Sequence, residues 1–261
     1  LPLSWMVLQE AGQEKLTAYV FILQNCAANL GGMLTPFGNP QNLYLFDHYH
    51  IPVGEFLSIM LLPFALSTGL ILLCCLLIPR QLAVPQRELT LDKPRAIAYG
   101  LLFCLAVGMV LRAVPYPVGL AVIAAALTVM DPRALKSVDW GLLVTFAAFF
   151  VFSGNMARIQ PVRELFGRLL AHGVLPVSAL TCQVISNVPA AILLSQFTDR
   201  FRELLIGVNI GGAGTLIASL ASLITFREYT RRCPEQTGRF LGLFTLVSFG
   251  FLAILLAALS L

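Results

Sequence analysis

Marking every Asp, Glu, Lys and Arg divides the chain into eight long stretches that carry no charge: 16–46, 56–79, 96–111, 113–130, 140–157, 173–198, 204–226 and 240–261. Together they hold 178 of the 261 residues. A helix needs about 20 predominantly apolar residues to cross a bilayer. The pattern therefore predicts six to eight membrane segments and leaves no length for a soluble catalytic domain. A charged fraction of 11% and a mean hydropathy of +0.84 agree, since soluble domains carry about 25% charge. The expected fold class is an all-α polytopic membrane protein, multi-pass in a cell membrane, with the lipid bilayer as its first partner.

The net charge of +4 does not point to nucleic acid, because the basic residues sit in short connections between apolar runs and read as orientation signals. If Lys15, 80–95, 131–139 and 227–239 share one face, that face holds 11 of the 17 Lys and Arg and is predicted cytoplasmic. Six cysteines show no CxxC spacing, five of them within charge-free runs, so neither disulfide nor metal is assigned. No cleavable signal pattern follows Leu1, and the sequence is expected to be truncated at its N-terminus.

Five runs, 56–79, 96–111, 113–130, 140–157 and 240–261, read as ordinary spanning helices of a scaffold. Runs 16–46, 173–198 and 204–226 carry polar and helix-breaking residues near their middles. Backbone of that kind survives at membrane depth only where protein buries it or it lines a cavity. All seven asparagines lie in charge-free runs, and six of them, all but Asn155, lie in these three. Amides can act as glue between helices, but glue needs no interleaved Gly and Pro.

Two of the irregular runs repeat one another. NLGGMLTPFGNPQNLYLF at 29–46 lies without a gap over NIGGAGTLIASLASLITF at 209–226, with Asn, Gly-Gly and Thr among the six identities. Four crossings separate residue 47 from residue 158. If 173–198 is a re-entrant hairpin broken at Ser186-Asn187-Val188-Pro189, the two copies run in opposite directions, as an inverted repeat. Pro189 supports the break, because it disfavours helix at the preceding residue and donates no backbone hydrogen bond.

Broken helices at mid-membrane expose N–H ends that attract anions and C=O ends that coordinate cations. Asn, Ser and Thr complete such shells without adding charge, and Gly31-Gly32 and Gly211-Gly212 let backbone approach a ligand. A secondary transporter needs this arrangement. No carboxylate lies in the three irregular runs, so an anion held with Na⁺ is expected rather than exchange of a cation for protons, which usually needs a buried acid.

GGMLTPFGNPQN at 31–42, SNVPAAILL at 186–194 and NIGGAGTLIASLASLI at 209–224 resemble the ion transporter superfamily. Its members include citrate and dicarboxylate permeases, divalent-anion/sodium symporters, arsenite-pump membrane subunits and sodium/proton antiporters. The resemblance covers essentially the whole chain. It implies inverted repeats, each with a re-entrant hairpin and a broken transmembrane helix, substrate held between hairpin tips and helix breaks, and elevator-type movement against a scaffold in the symporters. Assembly as a homodimer and, in the arsenite branch, an ATPase partner subunit belong to the same expectation. Two departures stand out. Shifting Ser186 back by the repeat offset reaches Met6, where no hairpin tip occurs, and the second break reads Ala218-Ser219-Leu220 in place of a Pro-containing turn.

The expected substrate and ion site comprises Asn29, Gly31, Gly32, Thr35, Gly38, Asn39 and Asn42 from the first break. Ser186, Asn187, Val188 and Pro189 come from the hairpin tip, and Asn209, Gly211, Gly212, Thr215, Ser219 and Ser222 from the second break. The expected division is 1–46 as the end of the first repeat, 47–157 as scaffold, 158–172 as an amphipathic surface helix, 173–226 as the second hairpin and broken helix, and 227–261 as a basic loop with the last span. The function expected is secondary active transport of a small anion or organic acid, with Na⁺ or H⁺ as coupling ion and no other cofactor. A sodium/proton antiporter or arsenite permease of the same fold is the alternative, and a membrane enzyme or channel the alternative of another class. Asp47, His48 and His50 are too closely spaced to ligate one metal well. No nucleophile motif supports catalysis.

Overall fold

A computed structural model of the chain describes residues 1–78 and 92–260. The charge-rich loop expected on the basic face at 80–95 thus lies largely outside the described residues. Every regular element described is helical. In chain order these are α1 (Pro2–Glu10), α2 (Thr17–Gly31), α3 (Pro40–His48), α4 (Val53–Cys75), α5 (Lys93–Val110), α6 (Tyr116–Met130), α7 (Pro132–Lys136) and α8 (Trp140–Met156). They continue as α9 (Gln160–Ala171), α10 (Val174–Ile185), α11 (Asn187–Leu194), α12 (Phe201–Ile210), α13 (Leu220–Arg232) and α14 (Thr237–Leu259). Short 3₁₀ turns occupy Gly32–Leu34 and Leu216–Ala218, inside the two expected breaks.

Spanning length follows composition. Helices α4 and α14 have 23 residues each, about 34 Å at 1.5 Å per residue, enough for the hydrocarbon core. Helix α5 also qualifies by length and apolarity. The runs 113–130 and 140–157 yield α6 with 15 residues, its start delayed by Pro115 and Pro117, and α8 with 17. Helices α8 and α9 are together long and apolar enough to cross a bilayer but are bent by 96°. In α9, Leu170 faces inward and Phe166 stacks on Phe197, while Arg163, Glu164 and Arg168 are exposed.

The chain divides into two compact units, Leu1–Pro85 with Phe149–Leu261, and Gln86–Ala148. In the second unit α5 and α6 pack together: a methyl on Gly119 would collide with Met109. Asp92 accepts from the Arg95 N–H at 3.5 Å and Asp131 from that of Ala134 at 3.3 Å, capping α5 and α7.

Contacts in the first unit fix the direction of each segment. At one end, Tyr49 donates its hydroxyl to the Thr198 carbonyl at 2.6 Å, Arg202 pairs with Glu55 at 2.6 Å, and Tyr44 shares a 2.7 Å hydrogen bond with Ser195. At the other end Tyr19 donates to the Cys74 carbonyl at 2.9 Å, Phe21 packs edge-on against Tyr229, and Tyr229 stacks on Phe240. The α2–α3 segment runs from the second end to the first, and α12–α13 runs the opposite way. Residues 47–55 and 195–203 share one end, and α13 finishes at the other.

Helix α10 follows α12 in parallel, Leu175 and Ser178 lying against Gly207 and Cys182 against Val208 and Gly211. A methyl on Gly207 would reach 2.6 Å from the Leu175 carbonyl, and one on Gly211 2.8 Å from the Ala179 α-carbon. Small residues four apart allow this close approach where lipid offers no hydrophobic drive to pair helices. The chain turns back at Ser186, and α11 ends at Ser195 beside Tyr44 and Tyr49. The α10–α11 pair thus enters and leaves at the same end, the re-entrant form.

Candidate functional site

Both breaks are built alike. Asn29 donates its amide to the carbonyl four residues earlier, Asn25, at 3.2 Å, and Asn209 donates to that of Leu205 at 2.8 Å. Asn39 and Ser219 occupy equivalent extended positions just before α3 and α13, with φ −140° and −150°. Ser219 accepts from the Ser222 N–H at 3.1 Å. A glycine is required at 32, where a methyl would press to 2.8 Å on the Gly38 carbonyl, closing the first break on itself. Gly31, in contrast, faces open space.

The amides of the two breaks meet across the repeat. Asn209 donates to Asn42 Oδ1 at 2.6 Å, and its own Oδ1 accepts from Asn39 at 3.3 Å and from Gln41 at 3.2 Å. Asn39 also donates to the Asn29 carbonyl at 2.9 Å. Asn42 directs its Nδ2 to the carbonyls of Met33 at 3.1 Å and Thr35 at 3.2 Å, the latter also accepting from the Gly38 N–H at 3.1 Å. Asn25 accepts from Asn29 at 3.3 Å and from Ser222 at 3.4 Å, while its Nδ2 has no partner among the described residues.

The hairpin tip completes the centre. Ser186 has φ +75° and ψ 157°, a region occupied almost only by glycine and costing about 1–3 kcal/mol for other residues. Its hydroxyl donates to the Ala218 carbonyl at 3.4 Å. Asn187 turns its Oδ1 back to the Val188 N–H at 2.9 Å. A methyl on Gly212 would stand 3.0 Å from Asn187 Nδ2 and 3.6 Å from Asn29 Oδ1. These two atoms have no hydrogen bond to each other or to any other described side chain, so a donor and an acceptor converge on bare backbone. The N-termini of α3, α11 and α13 come together here, three ends of positive partial charge.

Of the expected site residues, Asn29, Asn39, Asn42, Asn209, Asn187, Gly212, Ser219 and Ser222 gather at this centre. Asn29, Asn42, Asn187 and Asn209 are buried, and the amides of the two breaks are largely bonded to each other and to the carbonyls of the breaks. Gly211 faces α10 and serves helix packing. Thr215 is held by the hairpin, its N–H donating to Gln183 Oε1 at 2.8 Å and its hydroxyl to the Gln183 carbonyl at 3.0 Å. Gln183 was not anticipated. Its Nε2 also donates to the carbonyls of Gly211 at 2.8 Å and Ala213 at 3.1 Å, so this one amide holds the second break together. Counting glutamines with asparagines in the charge-free runs would have exposed both Gln183 and Gln41. Among the described residues no group of three His, Cys, Asp or Glu could hold a metal.

Residues 6–199 match the citrate transporter family. The chain belongs to that family. It is 34% identical over 242 residues, 91% of its length, to an uncharacterized transporter of Methanocaldococcus jannaschii. It is 32% identical over 217 residues, 80% of its length, to the inner membrane protein YbiR of Escherichia coli. The chain spans 65% and 58% of those relatives' own lengths. A citrate transporter family member with apolar helices of spanning length is a multi-pass membrane protein.

Proposed function

We propose that the protein is a secondary active transporter that moves a small carboxylate or oxyanion across a cell membrane together with Na⁺. The observation that carries this reading is the meeting of Asn187 Nδ2 and Asn29 Oδ1 over Gly212, at the confluence of three helix N-termini. The amide hydrogens and helix ends attract an anion, while backbone carbonyls and Asn29 Oδ1 suit a sodium ion. The irregular runs hold no Asp or Glu to carry a proton, which favours anion symport over cation/proton exchange. The relative named an inner membrane protein supports a bacterial inner-membrane location.

On this reading the hairpin α10–α11 and the two broken helices move as one body that carries the anion, in the manner of an elevator. Helix α9, bent sharply from α8, forms the arm that joins them to the scaffold. On the same reading the protein assembles as a homodimer. The test is uptake into proteoliposomes of the full-length protein across a panel of labelled carboxylates and oxyanions. Saturable uptake that requires an inward Na⁺ gradient supports the proposal. Uptake driven equally by a pH gradient without Na⁺, or Na⁺/H⁺ exchange with no anion requirement, overturns it.

A further inference from the structure

The unit 86–148 carries a cleft that plays no part in the amide centre. It encloses about 740 Å³ where the start of α5 meets the junction of α6 and α7, lined by Arg95, Tyr99, Met130, Asp131, Pro132 and Arg133. Two arginines, Arg95 and Arg133, therefore line one space at the end of the helix pair. Arg95 is three-quarters exposed and touches Asp92 at 3.3 Å, an exposed pair of the kind that contributes little and exchanges partners readily. Arg133, in the last turn of α7, makes no ion pair among the described residues. The acid in the cleft is occupied: Asp131 Oδ2 accepts from the Tyr99 hydroxyl at 2.8 Å and Oδ1 from the Ala134 N–H at 3.3 Å. Segments 92–95 and 131–136 together carry four basic residues and two acidic ones.

Apolar side chains continue from the cleft along the helices. Met130 lines it, and Val129 at 85%, Leu101 at 67% and Ile97 at 64% are the widely exposed aliphatic residues of the adjoining turns of α5 and α6. A soluble phosphate would use only the arginines. A ligand with an anionic head and two hydrocarbon chains uses both parts. Arginine's planar fork also suits phosphate oxygens better than an ammonium does. Basic pockets between membrane helices near their aqueous ends are places where anionic lipid headgroups bind.

We propose that this cleft holds the phosphodiester headgroup of an anionic phospholipid, with Arg95 and Arg133 on the phosphate and the lipid chains along Leu101 and Val129. The test is native mass spectrometry of the full-length protein titrated with phosphatidylglycerol or with phosphatidylcholine of the same chains. The wild-type protein is expected to retain phosphatidylglycerol preferentially. Each basic residue strengthens anionic-lipid binding about fivefold, so the Arg95→Gln/Arg133→Gln pair should lower that preference roughly 25-fold. If the pair does not fold, Arg133→Gln alone, which breaks no ion pair, carries the test with a loss of about fivefold. Equal retention of the two lipids by the wild type, or a preference unchanged in the variants, overturns the proposal. Displacement of phosphatidylglycerol by an equal concentration of inorganic phosphate also overturns it, in favour of a soluble phosphate site.

Discussion

Replacing Gln183 by Ala in the full-length protein should destabilise it more than any exposed polar substitution, although this residue carries no charge and is only half-buried. The change removes the amide that serves Gly211 O at 2.8 Å, Ala213 O at 3.1 Å and Thr215 N at 2.8 Å. An amide has two N–H hydrogens, and Nε2 also reaches the Ala179 carbonyl at 2.9 Å, so three carbonyls share two hydrogens. The truncation leaves three backbone groups of a broken helix without a partner. An unsatisfied buried group costs about 1–3 kcal/mol, and water entering the space left by the side chain keeps each near the lower figure. The expected loss is therefore about 3 kcal/mol. Equilibrium unfolding in mixed detergent–SDS micelles, followed by circular dichroism, measures it. Gln183→Leu, which fills the same space and keeps that water out, should cost at least as much as Gln183→Ala, because the loss comes from hydrogen bonds rather than volume. A cost under about 0.5 kcal/mol, within the range of ordinary surface changes, would refute the assignment of Gln183 as the clasp of the second break. So would a large rescue by Leu.

Asn187→Leu should abolish uptake and leave stability within about 1 kcal/mol, because its Nδ2 bonds to no described residue. Asn209→Leu should abolish uptake and also lower stability by about 2–4 kcal/mol, since it breaks four hydrogen bonds and leaves Asn42 Oδ1 buried and unpaired; the same unfolding assay separates the two. Partial desolvation of the otherwise exposed His48 beside Tyr44 and Tyr49, with His50 adding to it, lowers its pKa, while Asp47 opposes. The unfolded chain then takes up that proton first, so the stability tied to neutral His48 is full above about pH 6.5 and is lost as pH falls below it. Thermal unfolding of wild type and His48→Gln from pH 7.5 to 5.5 checks this, and parallel curves would contradict it. Single cysteines at Tyr49 and Arg200 of a cysteine-free variant should label from the same side of the membrane and one at Arg232 from the other; opposite sides for the first two would remove the antiparallel arrangement of the breaks.

Much of this arrangement was legible because charge and hydrogen bonding leave marks in sequence. An asparagine within an apolar run needs a partner, and the register that placed Asn29 over Asn209 recurs as the same bond to the carbonyl four residues back. Asn39 over Ser219 recurs as two matching extended positions ahead of a half-helix. Side-chain direction left no such mark. Nothing in the spacing told that Asn42 and Asn209 would spend themselves on each other while Asn187 and Asn29 keep an atom free. Gly207 and Gly211 formed a visible packing pair, yet the polar residues around them drew attention to ligand contact instead. The helix in 113–130 is shorter than its charge-free run because Pro115 and Pro117 delay its start without adding charge.

The central claim is that an anion and Na⁺ occupy the space between the hairpin tip and the second helix break. Val188→Cys in an otherwise cysteine-free full-length protein places a reporter at that tip, next to Asn187, and the rate of its reaction with a maleimide measures access. With both Na⁺ and the transported anion at about ten times their dissociation constants, labelling should slow about tenfold, and neither ion alone should give that protection. A labelling rate that the two together leave unchanged, in a variant that still transports, would contradict the account.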